Sequence, residues 1–142
     1  MTGHPRIRIL LLVLSAFVAL TALAGGAVLA ASALVPEWQT LLSPPASYLE
    51  GSPFDSYLLP GLALAGVLGG VHLVAFVLLL RRSRGAVLST TVAGYAALIW
   101  IFVQMIYIPF SFLQAVYFAA GLAELGLVLL ALGVLRTESS AS

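Results

Sequence analysis

The sequence predicts an all-α polytopic membrane protein, a four-transmembrane-helix antiparallel bundle with both termini in the cytoplasm. Three observations lead to this prediction. The 142 residues are 62% hydrophobic and 8% charged, whereas a soluble domain carries about 25% charged residues. Four long apolar segments follow one another along the chain. Every basic residue is an arginine, and all six fall on one side of the predicted membrane.

The composition also excludes several classes of protein. Too few charged residues are present to cover a water-soluble globule, and intrinsic disorder needs low hydrophobicity and high charge. The chain has no cysteine, which excludes disulfides, thiolate metal sites and the four-helix membrane thiol oxidoreductases. The net charge of +1 is too small to indicate binding to nucleic acid.

The apolar segments define one membrane domain, residues 1–142, with an outer loop over residues 36–57. Each segment holds the roughly 20 apolar residues that a helix needs to cross a bilayer. In lipid the backbone must satisfy its own hydrogen bonds, and the segments lack the alternation of barrel strands. The sequence therefore predicts four helices, at about residues 9–35, 58–80, 86–108 and 113–135.

The short connections set the arrangement of these helices. Tight turns at residues 81–85 and 109–112 force neighbouring helices to run antiparallel. With four crossings, both termini and the first of these turns share one side, and that side carries Arg6, Arg8, Arg81, Arg82, Arg84 and Arg136. We expect the protein to lie in the plasma (inner) membrane. The positive-inside rule then places both termini in the cytoplasm. An alternative remains for the first segment, because Ala31-Ser32-Ala33 also fits a signal-peptide cleavage site.

Local signals predict where helices begin. Ser111 and Gln114 have the spacing of a capping box at the start of the fourth helix. Asp55 or Ser56 is expected to cap the second helix, which places Pro60 near the end of its first turn, where proline is tolerated. Pro36 is expected to open a short amphipathic helix in the outer loop.

Small residues recur at spacings of four, as in the Gly61, Ala65 and Gly69 stripe of the second helix. Such stripes allow close approach of helix backbones in lipid. Similar stripes occur at Ala22, Gly26 and Ala30 and at Ala93 and Ala97. Two interpretations stay open: packing within one bundle, or a face for a second copy or another subunit.

Two ionisable residues fall within the predicted spans: His72 in the second helix and Glu124 in the fourth. Such residues are expensive in lipid and indicate a functional site by default. Together with Tyr95, they lie roughly 16 to 20 Å from the outer ends of their helices, at about 1.5 Å per residue. Gln104 and Tyr117 extend the polar character toward the outside. The pattern predicts an intramembrane polar site formed by these five residues, at the base of a vestibule open to the outside.

Three interpretations of this site remain. In the first, neutral His72 and neutral Glu124 are each hydrogen-bonded and fix helix register, because burial disfavours their charged forms. In the second, they form a proton relay or bind a substrate. In the third, Glu124 faces lipid and is satisfied by a partner. No metal-ligand spacing and no catalytic constellation is present, so we expect no metal, no cofactor and no enzymatic activity.

Three stretches carry a resemblance: residues 52–62 (SPFDSYLLPGL), 99–104 (IWIFVQ) and 117–121 (YFAAG). They resemble the loop-to-helix transition and later helices of small bacterial four-helix membrane proteins of unknown activity. The resemblance covers the last two-thirds of the chain. It implies a four-helix bundle of bacterial origin and no particular activity.

The sequence therefore favours a non-enzymatic accessory or packing subunit. The alternative is a small transport or proton-handling protein that uses His72 and Glu124, and a third hypothesis is a membrane enzyme acting on lipid. The expected partners are the lipid bilayer, and either another membrane subunit or a second copy. Arg81, Arg82 and Arg84 serve as topology signals or bind anionic lipid head groups.

Overall fold

The computed structural model describes residues 5–133, which are mostly helical and contain no strand. The elements are α1 (Pro5–Leu34), α2 (Pro36–Leu42), α3 (Leu58–Leu80), α4 (Ala86–Tyr107) and α5 (Phe112–Ala131). All except α2 are long and apolar enough to cross a membrane. The predicted fold class, all-α with four such helices, is confirmed at this level. The last helix ends at Ala131, earlier than the predicted residue 135, and Gly133 follows it with φ of 78°, the left-handed conformation that commonly ends a helix. Arg136 lies outside the described residues.

The first helix begins at Pro5, earlier than the predicted residue 9. Proline suits the first turn of a helix because its missing N–H would have no partner there. Arginine has high helix propensity, so Arg6 and Arg8 extend α1 beyond its apolar segment. The helix ends at Leu34, and α2 then opens with Pro36 as predicted.

The helix starts predicted from local signals agree with the structure. The Ser111 hydroxyl accepts a hydrogen bond from the Gln114 amide at 3.4 Å, and Gln114 Oε1 accepts one from the Ser111 amide at 3.2 Å. The capping box is therefore confirmed. At α3, the helix begins at Leu58 as predicted and Pro60 lies in its first turn, but the N-cap residue is Tyr57 and not Asp55 or Ser56. The Ser56 hydroxyl lies one position earlier and accepts from the Leu58 amide at 3.3 Å.

Helix α3 contains a π-helical segment, Leu64–Gly69, between two α-helical parts. Such segments have i→i+5 hydrogen bonds and frequently occur at functional sites. No sequence signal predicts this one. It ends three residues before His72, so it precedes the polar residue that the sequence singled out in this helix.

The buried side chains form two apolar clusters, and each draws residues from all four long helices. The Leu11 cluster consists of Leu11, Leu79, Ala86 and Val128. The Tyr117 cluster consists of Val18, Ala22, Leu68, Ala97, Ile101, Tyr117 and Ala120. In each cluster the four helices meet at one level, so positions along one helix can be matched with positions on the others.

Helices α1 and α3 approach each other closely through small residues. A Cβ added to Gly61 would lie 2.7 Å from the Ala30 amide nitrogen and 2.8 Å from the Gly26 carbonyl oxygen. A Cβ added to Gly69 would lie 2.9 Å from Leu23 Cγ. Ala65 contacts Gly26 in the same interface. The structure thus places the Gly61, Ala65 and Gly69 stripe at an internal helix contact.

Candidate functional site

The structure brings His72 and Glu124 together in the interior of the described chain. His72 Nε2 lies 2.9 Å from Glu124 Oε1, and both side chains are fully buried. Helix α3 positions the first residue and helix α5 the second. His72 Nδ1 lies 2.9 Å from the carbonyl oxygen of Leu68, the residue one turn earlier. Both ring nitrogens are therefore occupied.

This geometry fixes one proton of the His72–Glu124 pair and leaves two positions for the other. A carbonyl oxygen only accepts hydrogen bonds, so Nδ1 of His72 must carry a hydrogen toward Leu68. Nε2 then either accepts a hydrogen from a protonated Glu124 or donates one to an ionised Glu124. Both forms contain the same two protons and no net charge. The pair therefore holds one proton that can reside on either Nε2 or Oε1.

A level of mostly polar buried residues lies one helical turn away from the Leu11 cluster. Moving four residues along each long helix from this cluster, toward the Tyr117 cluster, reaches one further level about 6 Å away. The four steps lead from Leu11 to Ser15, from Leu79 to Ala75, from Ala86 to Thr90, and from Val128 to Glu124. All four end points are fully buried. We call Ser15, His72, Thr90 and Glu124 the polar layer.

Three atoms of the polar layer have no hydrogen-bond partner within residues 5–133: Ser15 Oγ, Thr90 Oγ1 and Glu124 Oε2. They belong to three different helices. Elsewhere in the same helices, hydroxyls bond to their own backbone: Thr21 Oγ1 donates to the Phe17 carbonyl and Thr91 Oγ1 to the Val87 carbonyl, both at 2.7 Å. The hydroxyls of the polar layer do not form this local bond.

The polar layer lies between two apolar clusters, and this corrects the predicted vestibule. Tyr117 does not line a channel toward Glu124. It belongs to the Tyr117 cluster, and its phenol donates to the Thr21 hydroxyl. Large apolar side chains, such as Leu68 and Ile101, fill the space that the vestibule would need. The His72–Glu124 pair is therefore enclosed on both sides.

Two other predicted members of the site lie elsewhere. Tyr95 matches the pair in depth but points outward, with 55% of its surface exposed. The depth estimate is sound, but depth does not fix the direction of a side chain around the helix axis. Gln104 lines a separate groove of about 230 Å³ between α3 and α4. The groove also contains Trp100 and Tyr57.

Tyr57 anchors the outer loop over this groove. Its phenol donates a hydrogen bond to the Pro45 carbonyl at 2.8 Å. Burial raises the pKa of Tyr57, and the nearby Tyr48 raises it further. The phenol is consequently neutral and able to donate at ordinary pH.

The predicted arginine turn joins α3 to α4. Arg82 adopts a left-handed backbone conformation with φ of 54°. Arg82 and Arg84 line a cleft of about 220 Å³ together with Arg8, whereas Arg81 lies outside its lining. Arg8 donates to the carbonyl oxygens of Leu79 and Leu80 at 3.1 and 3.0 Å. The sequence interpretation missed this cap, because Arg8 is far from α3 along the chain.

The sequence interpretation also missed Ser15 and Thr90. A signal for both exists: Ser15 lies on the helical face of Leu11, Val18 and Ala22, and Thr90 lies on the face of Ala86, Ala93 and Ala97. A hydroxyl on an otherwise apolar, small-residue face predicts a buried polar group. Among the described residues, no group of three histidine, aspartate or glutamate side chains could hold a metal ion.

The chain matches no protein-family profile, no curated protein sequence and no solved structure. The resemblance to small bacterial four-helix membrane proteins therefore stays a prediction.

Proposed function

We propose that the chain is an integral protein of the plasma membrane and acts as a non-enzymatic accessory or packing subunit. Its four long helices form an antiparallel bundle with both termini in the cytoplasm. The apolar length of these helices supports the membrane location. The orientation is supported by the basic residues, which are all on one side of such a bundle.

Tyr95 carries the proposal for a partner. It lies in α4 about 14 Å from Ala86 and about 18 Å from Tyr107, at 1.5 Å per residue. Its side chain is exposed, and within the described chain its hydroxyl makes no hydrogen bond. In a bilayer this hydroxyl would face hydrocarbon, where an unpaired polar group is costly. A partner helix that accepts a hydrogen bond from Tyr95 removes that cost.

The partner is another membrane subunit or a second copy of this chain. Apolar side chains surround Tyr95 on the exposed face of α4, with Val92 and Ile99 one turn away on either side. A helix seated there would pack against aliphatic side chains and receive one specific hydrogen bond. This combination suits a membrane interface, where packing and a few polar contacts replace the hydrophobic effect.

Site-specific photo-crosslinking in native membranes tests this function. A photoreactive amino acid replaces Ile99, once with Tyr95 intact and once with Tyr95→Phe. The same amino acid at Leu20, an exposed residue of α1, is the matched control. We expect position 99 to crosslink a defined protein, which mass spectrometry identifies, and Tyr95→Phe to reduce the yield severalfold. Crosslinks to lipid alone at both positions would overturn the accessory role.

A second candidate, proton handling, is favoured by one observation: His72 Nε2 lies 2.9 Å from Glu124 Oε1 in a buried pair, close enough for a proton to pass between the two atoms. In this function, a rearrangement of the apolar clusters would open the pair to one side at a time. Proteoliposomes with an internal pH dye and an imposed pH gradient test it. We expect proton uptake with the wild-type protein and none with Glu124→Gln. Equal rates for wild type and protein-free vesicles would exclude this candidate.

A further inference from the structure

We infer that the polar layer binds one buried water molecule, which joins Ser15 Oγ, Thr90 Oγ1 and Glu124 Oε2. These are three buried oxygen atoms without a partner in the described chain, and helix register places their residues at one level. A buried polar atom normally has a hydrogen-bond partner, so each exception needs an explanation. One ligand at this level explains all three.

The chemistry of the three atoms suits water. A buried water typically makes about three hydrogen bonds to groups that would otherwise be unsatisfied. It can donate to Glu124 Oε2 and to one hydroxyl, while it accepts from the other hydroxyl. The fourth position at this level is the buried Ala75, whose small apolar side chain does not compete for these hydrogen bonds. Water thus satisfies every polar atom of the layer.

The His72–Glu124 geometry argues against a metal cation in the same place. A cation on Oε2 would require an ionised Glu124. His72 would then either be positively charged beside the cation or present a bare Nε2 to the carboxylate, because its Nδ1 hydrogen is committed to Leu68. Both arrangements are repulsive. No other titratable residue lies in the layer, so a monovalent cation gives a neutral layer only when the unprotonated Nε2 faces the Glu124 carboxylate at 2.9 Å. Water requires no such contact.

The water completes a network that includes all four long helices. His72 on α3 bonds to Glu124 on α5, and the water extends this bond to Ser15 on α1 and Thr90 on α4. Without the water, the polar layer would connect only α3 and α5. The inference is independent of the proposed accessory role, since it concerns the interior and not the outward face of α4.

The Thr90→Val substitution has opposite expected effects on stability in a dry polar layer and in a hydrated one. If the layer is dry, Thr90→Val removes an unsatisfied buried hydroxyl and stabilises the fold, because leaving such a group unpaired is costly. If water is bound, the same change removes a hydrogen bond and destabilises. We expect the unfolding equilibrium of the full chain in detergent to shift roughly fivefold toward the unfolded state. Thr91→Val is the matched control, because Thr91 bonds only to its own helix.

Ser15→Ala and the double variant Ser15→Ala/Thr90→Val provide the second measurement. If either single substitution displaces the shared water, the second substitution has fewer hydrogen bonds to remove. We therefore expect the double variant to be destabilised by less than the sum of the two single variants. The infrared band of the Glu124 carboxyl group, identified by its loss in Glu124→Gln, should shift in Thr90→Val and stay unchanged in Thr91→Val. Stabilisation by Thr90→Val, or an unchanged Glu124 band, would overturn the inference.

A salt comparison separates water from a cation. The unfolding temperature is measured in sodium chloride and in choline chloride at equal ionic strength. We expect the same temperature in both salts for the wild type. A higher temperature in sodium that Ser15→Ala abolishes would show a cation site and would overturn the water assignment.

Discussion

Tyr117 on α5 donates a hydrogen bond from its phenol to the hydroxyl of Thr21 on α1, which in turn donates to the carbonyl of Phe17. The ring centroids of Tyr117 and Phe17 lie 6.1 Å apart, and the two ring planes are inclined by 54°. The same residue therefore links α1 and α5 by a polar contact and an aromatic one. This double contact lies within the Tyr117 cluster, which closes one side of the polar layer.

We expect Tyr117→Phe to destabilise the protein by about 1 kcal/mol, because it removes one intramolecular hydrogen bond and keeps the ring. Thr21 retains its own bond to Phe17, so no buried hydroxyl is left fully unpaired. Thermal unfolding in detergent measures the effect. Tyr107→Phe is the control, since Tyr107 is exposed and its hydroxyl has no described partner. Equal effects of the two substitutions would contradict this account.

Glu124 substitutions separate hydrogen bonding from ionisation. Glu124→Gln keeps the size of the side chain, and its amide can donate to Nε2 of a neutral His72. We expect stability close to the wild type. Glu124→Leu leaves Nε2 buried without a partner, which costs about 1–3 kcal/mol. Chemical or thermal unfolding of both variants measures this difference. A Glu124→Leu protein as stable as the wild type would contradict a stabilising role for the pair.

Glycine substitutions on α3 test the packing of α1 against α3. Gly61→Ala places a Cβ 2.7 Å from the Ala30 amide nitrogen, so the helices must move apart. We expect a loss of about 1–3 kcal/mol from overpacking. Gly66→Ala is the matched control on the same helix, because a Cβ there meets nothing within 4 Å. Similar unfolding temperatures for the two variants would contradict the close approach.

Thiol labelling of whole cells tests the proposed orientation. Single cysteines replace Ser47, in the outer loop, and Ser139, near the C-terminus. An impermeant reagent should label Ser47→Cys in intact cells and Ser139→Cys only after the membrane is opened. The reverse pattern would place the arginine turn outside the cell.

Helix number and helix starts follow from local chemistry, and the sequence predicts them well. Apolar length identifies the four long helices, and the Ser111–Gln114 pair defines the start of α5. Both signals are read from neighbouring residues, so distant parts of the chain do not alter them. The start of α1 is the exception, because residues 5–8 are polar enough to leave the apolar segment but still favour a helix.

The site itself could be predicted only in part. His72 and Glu124 were identifiable because ionisable residues are rare in apolar segments, and equal depth suggested that they could meet. Tyr95 has the same depth but faces outward, because rotation around a helix axis depends on tertiary packing. Ser15 and Thr90 form the polar layer with Glu124 only because the long helices pack with these residues at one level, which the sequence of a single helix does not show. The π segment of α3 likewise reflects tertiary packing that no local pattern reveals.

The Arg8 cap has a consequence for the order in which the protein assembles during synthesis. Its two acceptors, Leu79 and Leu80, are made 71 and 72 residues later in the chain. The first span therefore enters the bilayer before the carbonyl groups that its guanidinium requires exist. Until the second span has been inserted to its last turn, Arg8 must remain solvated at the membrane surface. The contact between α1 and α3 at this end can therefore form only after translation has passed Leu80, and a fragment released earlier would keep the Arg8 guanidinium in water.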